Sequence, residues 1–300
     1  MARTSAQPNG DDYDQYGYYR HATIWKDKIY FVCEDDIWEC SLKGGLARRF
    51  TAGQAEFSFP RVSPDGKHLA FVGKEEGHPE IYVTTIAGGN PTRLTYMHSD
   101  AIALTGWSED SKRILFTSDA RTPFFRSSDA FSVARDGGNP ECFNWGHVCT
   151  FDIATSSNRK KIIVVGRNNT DPARWKRYKG GTKGEIWIDP TGQGKFNKLI
   201  DLEGNSVWPM VIGSRIYFLS DHEGVGNIYS CRFDGKDLRQ ETHQTEYYVR
   251  FPSTDGSKII YTAGGDIYLF DPAKKSETKI NIVAPLSTHQ TKRKIVEAII

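Results

Sequence analysis

Short apolar runs separated by turn residues recur along the whole chain, and no segment sustains a helical period, so the pattern predicts strands and little else. The clearest example is Phe59-Pro60-Arg61-Val62, then Ser63-Pro64-Asp65-Gly66, then Lys67-His68-Leu69-Ala70-Phe71. Proline presets φ for a turn and glycine accepts positive φ, so this segment reads as two short strands joined by a tight reversal. A third strand follows at Ile81-Tyr82-Val83, a turn at Gly88-Gly89, and a fourth strand at Pro91-Thr92-Arg93-Leu94-Thr95. The unit is a four-stranded antiparallel meander.

The same pattern occurs six times. Its best ruler is the apolar–aromatic pair in each third strand: Ile37-Trp38, Ile81-Tyr82, Ala130-Phe131, Ile186-Trp187, Ile228-Tyr229 and Ile267-Tyr268, at intervals of 44, 49, 56, 42 and 39 residues. A repeat in this range with four strands per copy predicts an all-β, six-bladed β-propeller. Proline in the first strand, at Phe59-Pro60, Trp208-Pro209 and Phe251-Pro252, fits an edge facing a central channel, where a missing N–H breaks no ladder bond. The first and last units each hold four strands in sequence order, so an open, unlatched ring is expected.

The expected layout is a disordered tail over 1–16 and the propeller over 17–283. Residues 284–300 would form a linker and the first strand of a following domain, or a closing strand. The apolar run Lys294 to Ile300 has no turn or polar tail after it. An exposed strand of this kind is expected to pair, for instance with the next domain of a longer polypeptide.

Directly before the six apolar–aromatic pairs stand Asp36, Glu80, Asp129, Glu185, Asn227 and Asp266. They read either as a ring of acidic ligands around the channel or as side-chain oxygens closing the preceding loop onto backbone N–H groups. Recurrence once per blade favours the structural reading.

Charge and cysteine usage narrow the picture. A formal net charge of +2 in 300 residues removes any global electrostatic case for nucleic acid or an anionic membrane. The polar, acidic N-terminus has no signal-peptide pattern, and no apolar run is long enough to span a bilayer, so a cytoplasmic protein is expected. The five cysteines form no C-x-x-C. Cys33, Cys40, Cys142 and Cys149 fall in predicted strands, so buried thiols are expected rather than metal ligands or disulfides, and no cofactor is called for.

Reaction motifs are missing: there is no G-x-S-x-G, H-E-x-x-H, Walker loop or complete G-x-G-x-x-G. The histidines, His21, His68, His78, His98, His147, His222, His243 and His289, are scattered, and each is expected on the surface or in a loop. The largest departure from the repeat is the insertion Arg167 to Gly184 in the fourth unit. Its centre, Arg174-Trp175-Lys176-Arg177-Tyr178-Lys179, carries four cations and two aromatics in six residues. Such a loop is either a binding element, with arginine forking a carboxylate and aromatics covering an extended peptide, or a solvated or domain-packing loop. A smaller companion, Arg121-Thr122-Pro123-Phe124-Phe125-Arg126, occupies the equivalent loop of the third unit. Arg174, Trp175, Lys176, Arg177, Tyr178, Arg121, Phe125 and Arg126 are therefore the candidate peptide-contact or docking residues. Stacking on single-stranded nucleic acid uses similar residues, but the balanced charge argues against it.

The Ser-Pro-Asp-Gly-Lys hairpin followed by Ile-Tyr and Gly-Gly-x-Pro-x-Arg-Leu-Thr resembles TolB-like propeller repeats. More narrowly, the chain resembles the N-terminal six-bladed propeller of the tricorn protease family. The residues carrying this likeness are Gly17-Tyr18-Tyr19-Arg20-His21, Trp175-Lys176-Arg177-Tyr178, Gly180-Gly181-Thr182 and Ile186-Trp187. The turns at Ser157-Asn158-Arg159 and Gly213-Ser214 depart from the repeat. The resemblance implies a non-catalytic piece of a large cytoplasmic serine peptidase that trims oligopeptides. It also implies a propeller that offers peptides passage or docking, further domains in the same polypeptide, and a hexameric assembly. The family's catalytic serine and histidine lie beyond residue 300, so no catalytic residue is carried over. The competing readings are a stand-alone TolB-like interaction module and a sugar-acting propeller enzyme, which would need paired carboxylates at the channel mouth.

Overall fold

In the computed structural model, which describes residues 17–53, 55–123, 127–155 and 160–286, every regular element is a β-strand. Six antiparallel four-stranded sheets follow one another in sequence order. Their innermost strands are Arg20–Trp25, Phe57–Val62, Ile102–Trp107, Thr150–Thr155, Ser206–Ile212 and Arg250–Thr254. Each innermost strand touches the next, and the sixth returns to the first. This is a six-bladed propeller. The tail 1–16, the Ser157-Asn158-Arg159 turn and the run Lys294 to Ile300 lie outside the described residues.

The strand period explains the assembly. In Lys28–Cys33, Ile29, Phe31 and Cys33 point into a core shared with the sixth blade, while Tyr30 and Val32 point into a core shared with the second. A strand covered on both faces reads as a continuous apolar run, which is why the second strand of each blade is so easily recognised. Four further cores fill the remaining blade–blade interfaces. Among the described residues no blade is built from both ends of the chain, so the ring is open in the sense expected. Packing joins its ends: Ile260, Ile267 and Ile280 of blade six meet Ala22, Ile24 and Ile29 of blade one. A two-residue parallel ladder, Ile282–Val283 on Gly45–Leu46, lies beside that core.

The turn chemistry follows the sequence. Ser63 Oγ donates to Asp65 Oδ1 at 2.5 Å, Lys67 N donates to the same oxygen at 3.0 Å, and Gly66 N closes onto Ser63 O at 2.8 Å. Gly66 has φ +68, and a Cβ there would strike the Trp25 indole, so glycine is needed for both conformation and space.

The loop markers split into two groups. Thr51 Oγ1 donates to Asp36 at 2.7 Å, Thr95 Oγ1 to Glu80 at 2.5 Å and Thr242 Oγ1 to Asn227 at 3.0 Å. Each threonine in turn accepts the N–H of the residue after the marker, Ile37, Ile81 or Ile228, at 2.9 Å. In the other three blades Asn144, Ile200 and Asn281 stand in place of that threonine. There Glu185 pairs with Lys198 at 2.8 Å and Asp266 with Lys279 at 2.6 Å, while Asp129 is half-buried.

Four of the five cysteines are buried and all are free thiols. Cys149 sits one residue ahead of its strand rather than within it, because the ladder begins at Thr150. Burial pushes Cys33 up to about 12 and Cys149 and Cys231 to about 11.

Candidate functional site

The centre of the ring is built by an irregularity repeated in four blades. The innermost strands of blades one, two, five and six break register at Arg20/Thr23, Ser58/Arg61, Val207/Met210 and Arg250/Ser253. At each break one residue takes a left-handed backbone: His21 (φ 49), Phe59 (φ 49), Trp208 (φ 54) and Phe251 (φ 50). A bulge frees that residue from the pleat and re-aims its side chain, here into the channel. Proline follows in three of the four. Bulky residues at positive φ are strained by about 1–3 kcal/mol each, and such strain persists only where the surroundings enforce it.

The four rings meet. His21 stacks on Phe59 with centroids 4.0 Å apart and meets Phe251 edge-on at 4.3 Å, while Phe59 lies 6.0 Å from Trp208. Blades two and five are opposite one another in a six-membered ring, so contact between Phe59 and Trp208 closes the bore at this level. Phe59 N donates to His21 Nδ1 at 3.2 Å, and Trp208 Nε1 donates to Thr170 O at 2.6 Å. His21 is therefore not a surface histidine, contrary to expectation. It is buried in the channel because its strand bulges inward, and burial, with Arg20, Arg61 and Arg250 nearby, holds its pKa well below the usual range. Two residues beyond Phe59, Arg61 is buried and donates to Pro60 O at 2.8 Å and Thr105 O at 3.4 Å. Burial lowers its pKa to about 10.

Blade four runs in regular register, and blade three breaks one position later, between Leu104 and Gly106. Neither projects a ring into the channel. Above the aromatic floor a cavity of about 820 Å³ opens on their side. Phe59, Trp208 and Phe251 form its base, Ala103 and Thr117 part of one wall, and the blade-three and blade-four loops its rim.

The blade-four insertion is strapped across this face. Asp171, buried, receives Arg250 from blade six through Nε at 3.1 Å and Nη2 at 2.5 Å. Arg177 N donates to buried Asp221 at 2.6 Å, and Asn205 Nδ2 donates to Trp175 O at 3.1 Å. Gly184 lets the returning chain pass Val207, which a Cβ would approach at 2.5 Å.

Of the candidate residues, Arg174 and Trp175 line the cavity. Arg174 Nε also lies 3.4 Å from Asp171, and Trp175 is 51% exposed. Lys176 turns outward over the Tyr248 ring at 5.3 Å, beside a second cavity of about 360 Å³. Arg177 and Tyr178 are not in the cavity wall, and Tyr178 instead leans on Trp175 at 5.3 Å. Arg121 is exposed two residues past the cavity-lining Asp119, while Phe125 and Arg126 lie outside the described residues. Sequence reasoning missed Asp171, Asn205, Asp221 and Arg250, which fasten the loop. It saw the aromatic–proline pairs only as edge-strand markers.

The site's own titratable pair is poorly suited to nucleophilic chemistry. Cys149 Sγ lies 3.5 Å from His147 Nε2, but burial pushes the thiol up to about 11 and lowers the imidazole. Both shifts disfavour a thiolate–imidazolium pair. The arrangement is suited to binding. Among the described residues no helix is long and apolar enough to cross a membrane.

Residues 16–276 match the family described as the tricorn protease N-terminal beta propeller domain. A tricorn protease homolog of Saccharolobus solfataricus is 40% identical over 290 residues, covering 95% of this chain and 26% of the relative. The tricorn protease of Thermoplasma acidophilum is 36% identical over 268 residues, covering 86% of this chain and 24% of its own length. The crystal structure of the tricorn protease superposes with a TM-score of 0.80 at 33% identity, over 89% of this chain and 26% of that one. The chain thus spans about a quarter of these relatives. A TolB structure from Acinetobacter baumannii, at 14% identity and a TM-score of 0.62, shares the fold alone. Six blades in sequence order, an unshared first and last blade, and a match over nearly the whole propeller place this chain in the tricorn protease N-terminal β-propeller family.

Proposed function

We propose that this chain is the non-catalytic propeller of a cytoplasmic, tricorn-like serine peptidase that degrades oligopeptides, and that it offers those peptides docking or passage at its funnel face. The observation carrying this reading is the cavity itself. It is a concave, aromatic-floored space of about 820 Å³, and the Cys149 thiol in its wall is held protonated by burial. Pockets of this size with apolar floors and a few polar groups are typical of small-ligand and peptide-end binding. The family relationship supports the peptidase part of this reading, in which the catalytic residues would lie in other domains of the same polypeptide and the subunits would assemble as a hexamer.

On this reading Arg174 and Trp175 contact the peptide, and Arg121 stands beside the cavity-lining Asp119. Lys176, Arg177 and Tyr178 hold the loop's shape. The six markers from Asp36 to Asp266 are parts of the blades.

Peptide trimming by the full-length protein tests it. Losing one contact of this kind weakens binding by about three- to tenfold. Arg174→Ala with Trp175→Ala is expected to raise KM for a short peptide by at least that much, with kcat little changed. Unchanged KM overturns the assignment.

A further inference from the structure

On the far side of the four rings that close the bore, one buried arginine stands without a countercharge. We propose that the bore between these rings and the Ser63-Pro64-Asp65-Gly66 face holds a small monovalent anion, chloride or a carboxylate, against the Arg61 guanidinium. The site is separate from the peptide-docking reading: Arg61 does not line the funnel, and it stands two residues nearer than Phe59 to the opposite face.

The position itself calls for less than an arginine. In blades one, two, five and six the residue two after the left-handed one is Thr23, Arg61, Met210 and Ser253, so Arg61 alone is charged. In blade six Ser253 Oγ reaches the next blade and donates to Ala22 O at 3.0 Å. Arg61 makes the same kind of contact from blade two, with Nε donating to Thr105 O at 3.4 Å. A hydroxyl suffices there, and the guanidinium adds a charge and further donors. Nη1 donates to Pro60 O at 2.8 Å, whereas Nη2 donates to no described residue and is not among the fully enclosed polar atoms. The residue keeps 6% of its surface open, so this edge of the guanidinium is within reach of a small solute. The surrounding charges do not answer it. Three guanidinium groups act on His21 at the centre of the ring, those of Arg20, Arg61 and Arg250. Arg20 is matched by Asp35 at 3.1 Å and Arg250 by Asp171 at 2.5 Å. Arg61 forms no ion pair among the described residues, and burial alone lowers its pKa. Asp152, the carboxylate on the innermost strand of blade four, accepts Val211 N at 2.7 Å, and Arg61 is not among the charges acting on it. A buried cation is ordinarily matched by an anion, because desolvation without one is costly. A monovalent anion supplies both the countercharge and an acceptor for Nη2.

Thermal midpoints of the full chain in sodium chloride, sodium acetate and sodium gluconate, at equal ionic strength and about pH 8, where His21 is neutral, test the site. Gluconate is the bulky reference anion. The natural chain is expected to melt higher in chloride or acetate than in gluconate, with a gain that saturates as the anion is raised. Which of the two acts separates a halide from a carboxylate ligand, and saturable broadening of the chloride NMR line reads the first directly. Arg61→Met keeps a chain of similar reach without charge or donors. It is expected to bind the anion at least about tenfold more weakly, so that its midpoint is the same in all three salts. Arg61→Gln serves should the methionine variant not fold. One midpoint for the natural chain in all three salts, or an anion-specific gain that persists in a folded variant, overturns the site and leaves the docking reading untouched.

Discussion

His21 occupies the one point where four inward bulges bring their rings together, and it is the only one of the four that can take up a proton. Burial disfavours its charged form, and Arg20, Arg61 and Arg250 add to that effect. The unfolded chain protonates this histidine below about pH 6.5, while the folded chain resists until well below that. Stability from this site is therefore fully present above the unfolded value and is lost as the pH falls beneath it, by about 1.4 kcal/mol per pH unit. His147 and His222 are lowered by burial in the same way and add to the slope. Replacing His21 by Phe keeps a ring in the cluster and removes the proton. Urea midpoints between about pH 7.5 and 5 should then fall less steeply than in the natural chain, and an unchanged slope would refute the buried-neutral assignment. Three of the four bulges carry a trace in the sequence, the aromatic–proline pairs at Phe59, Trp208 and Phe251. His21 is followed by Ala22 and carries none, because its position depends on which strand neighbours it rather than on its own flanks.

The blade-four insertion belongs to the scale of the element. Its length and its basic, aromatic composition stand out against the repeat, so its existence is plain from residues 167–184 alone. Its anchorage is not. Asp171 and Arg250 are 79 residues apart, and Arg177 and Asp221 are 44 apart, so the contacts that fasten the loop join segments with no common local pattern. The carboxylate of Asp171 is 5% exposed, but Arg250 is 29% exposed and can regain water. Asp171→Ala should accordingly cost only about 1–3 kcal/mol of global stability, below the usual cost of breaking a fully buried pair. The sharper expectation is local: amide exchange across 172–183 should accelerate while the second strands of the blades keep their protection. Loop exchange equal to the natural chain's would contradict the strap.

At the scale of the whole molecule, the fold is legible because one unit is written six times. Alternating residues feed the cores on both sides of every blade, so the count of repeats sets the number of blades and order in the chain sets order in the ring. Closure without a shared blade is legible from the same count, since both end units are complete. What the repeat does not convey is the state of the channel. A propeller leaves a bore by default. Here it is closed by four side chains whose meeting depends on register breaks of one residue, and a one-residue shift is invisible to a period of roughly forty. The channel therefore ends in a funnel whose base, wall and rim come from blades two to six. On the proposed function, peptide is held there. Hydrogen–deuterium exchange of the full chain, with and without Ala-Ala-Phe-Ala-amide, places the ligand directly. Protection is predicted at 100–103, 168–175 and around Trp208, with the outermost strands and the Ser63-Pro64-Asp65-Gly66 face unchanged. Protection confined to that opposite face or to the outer strands would contradict the account.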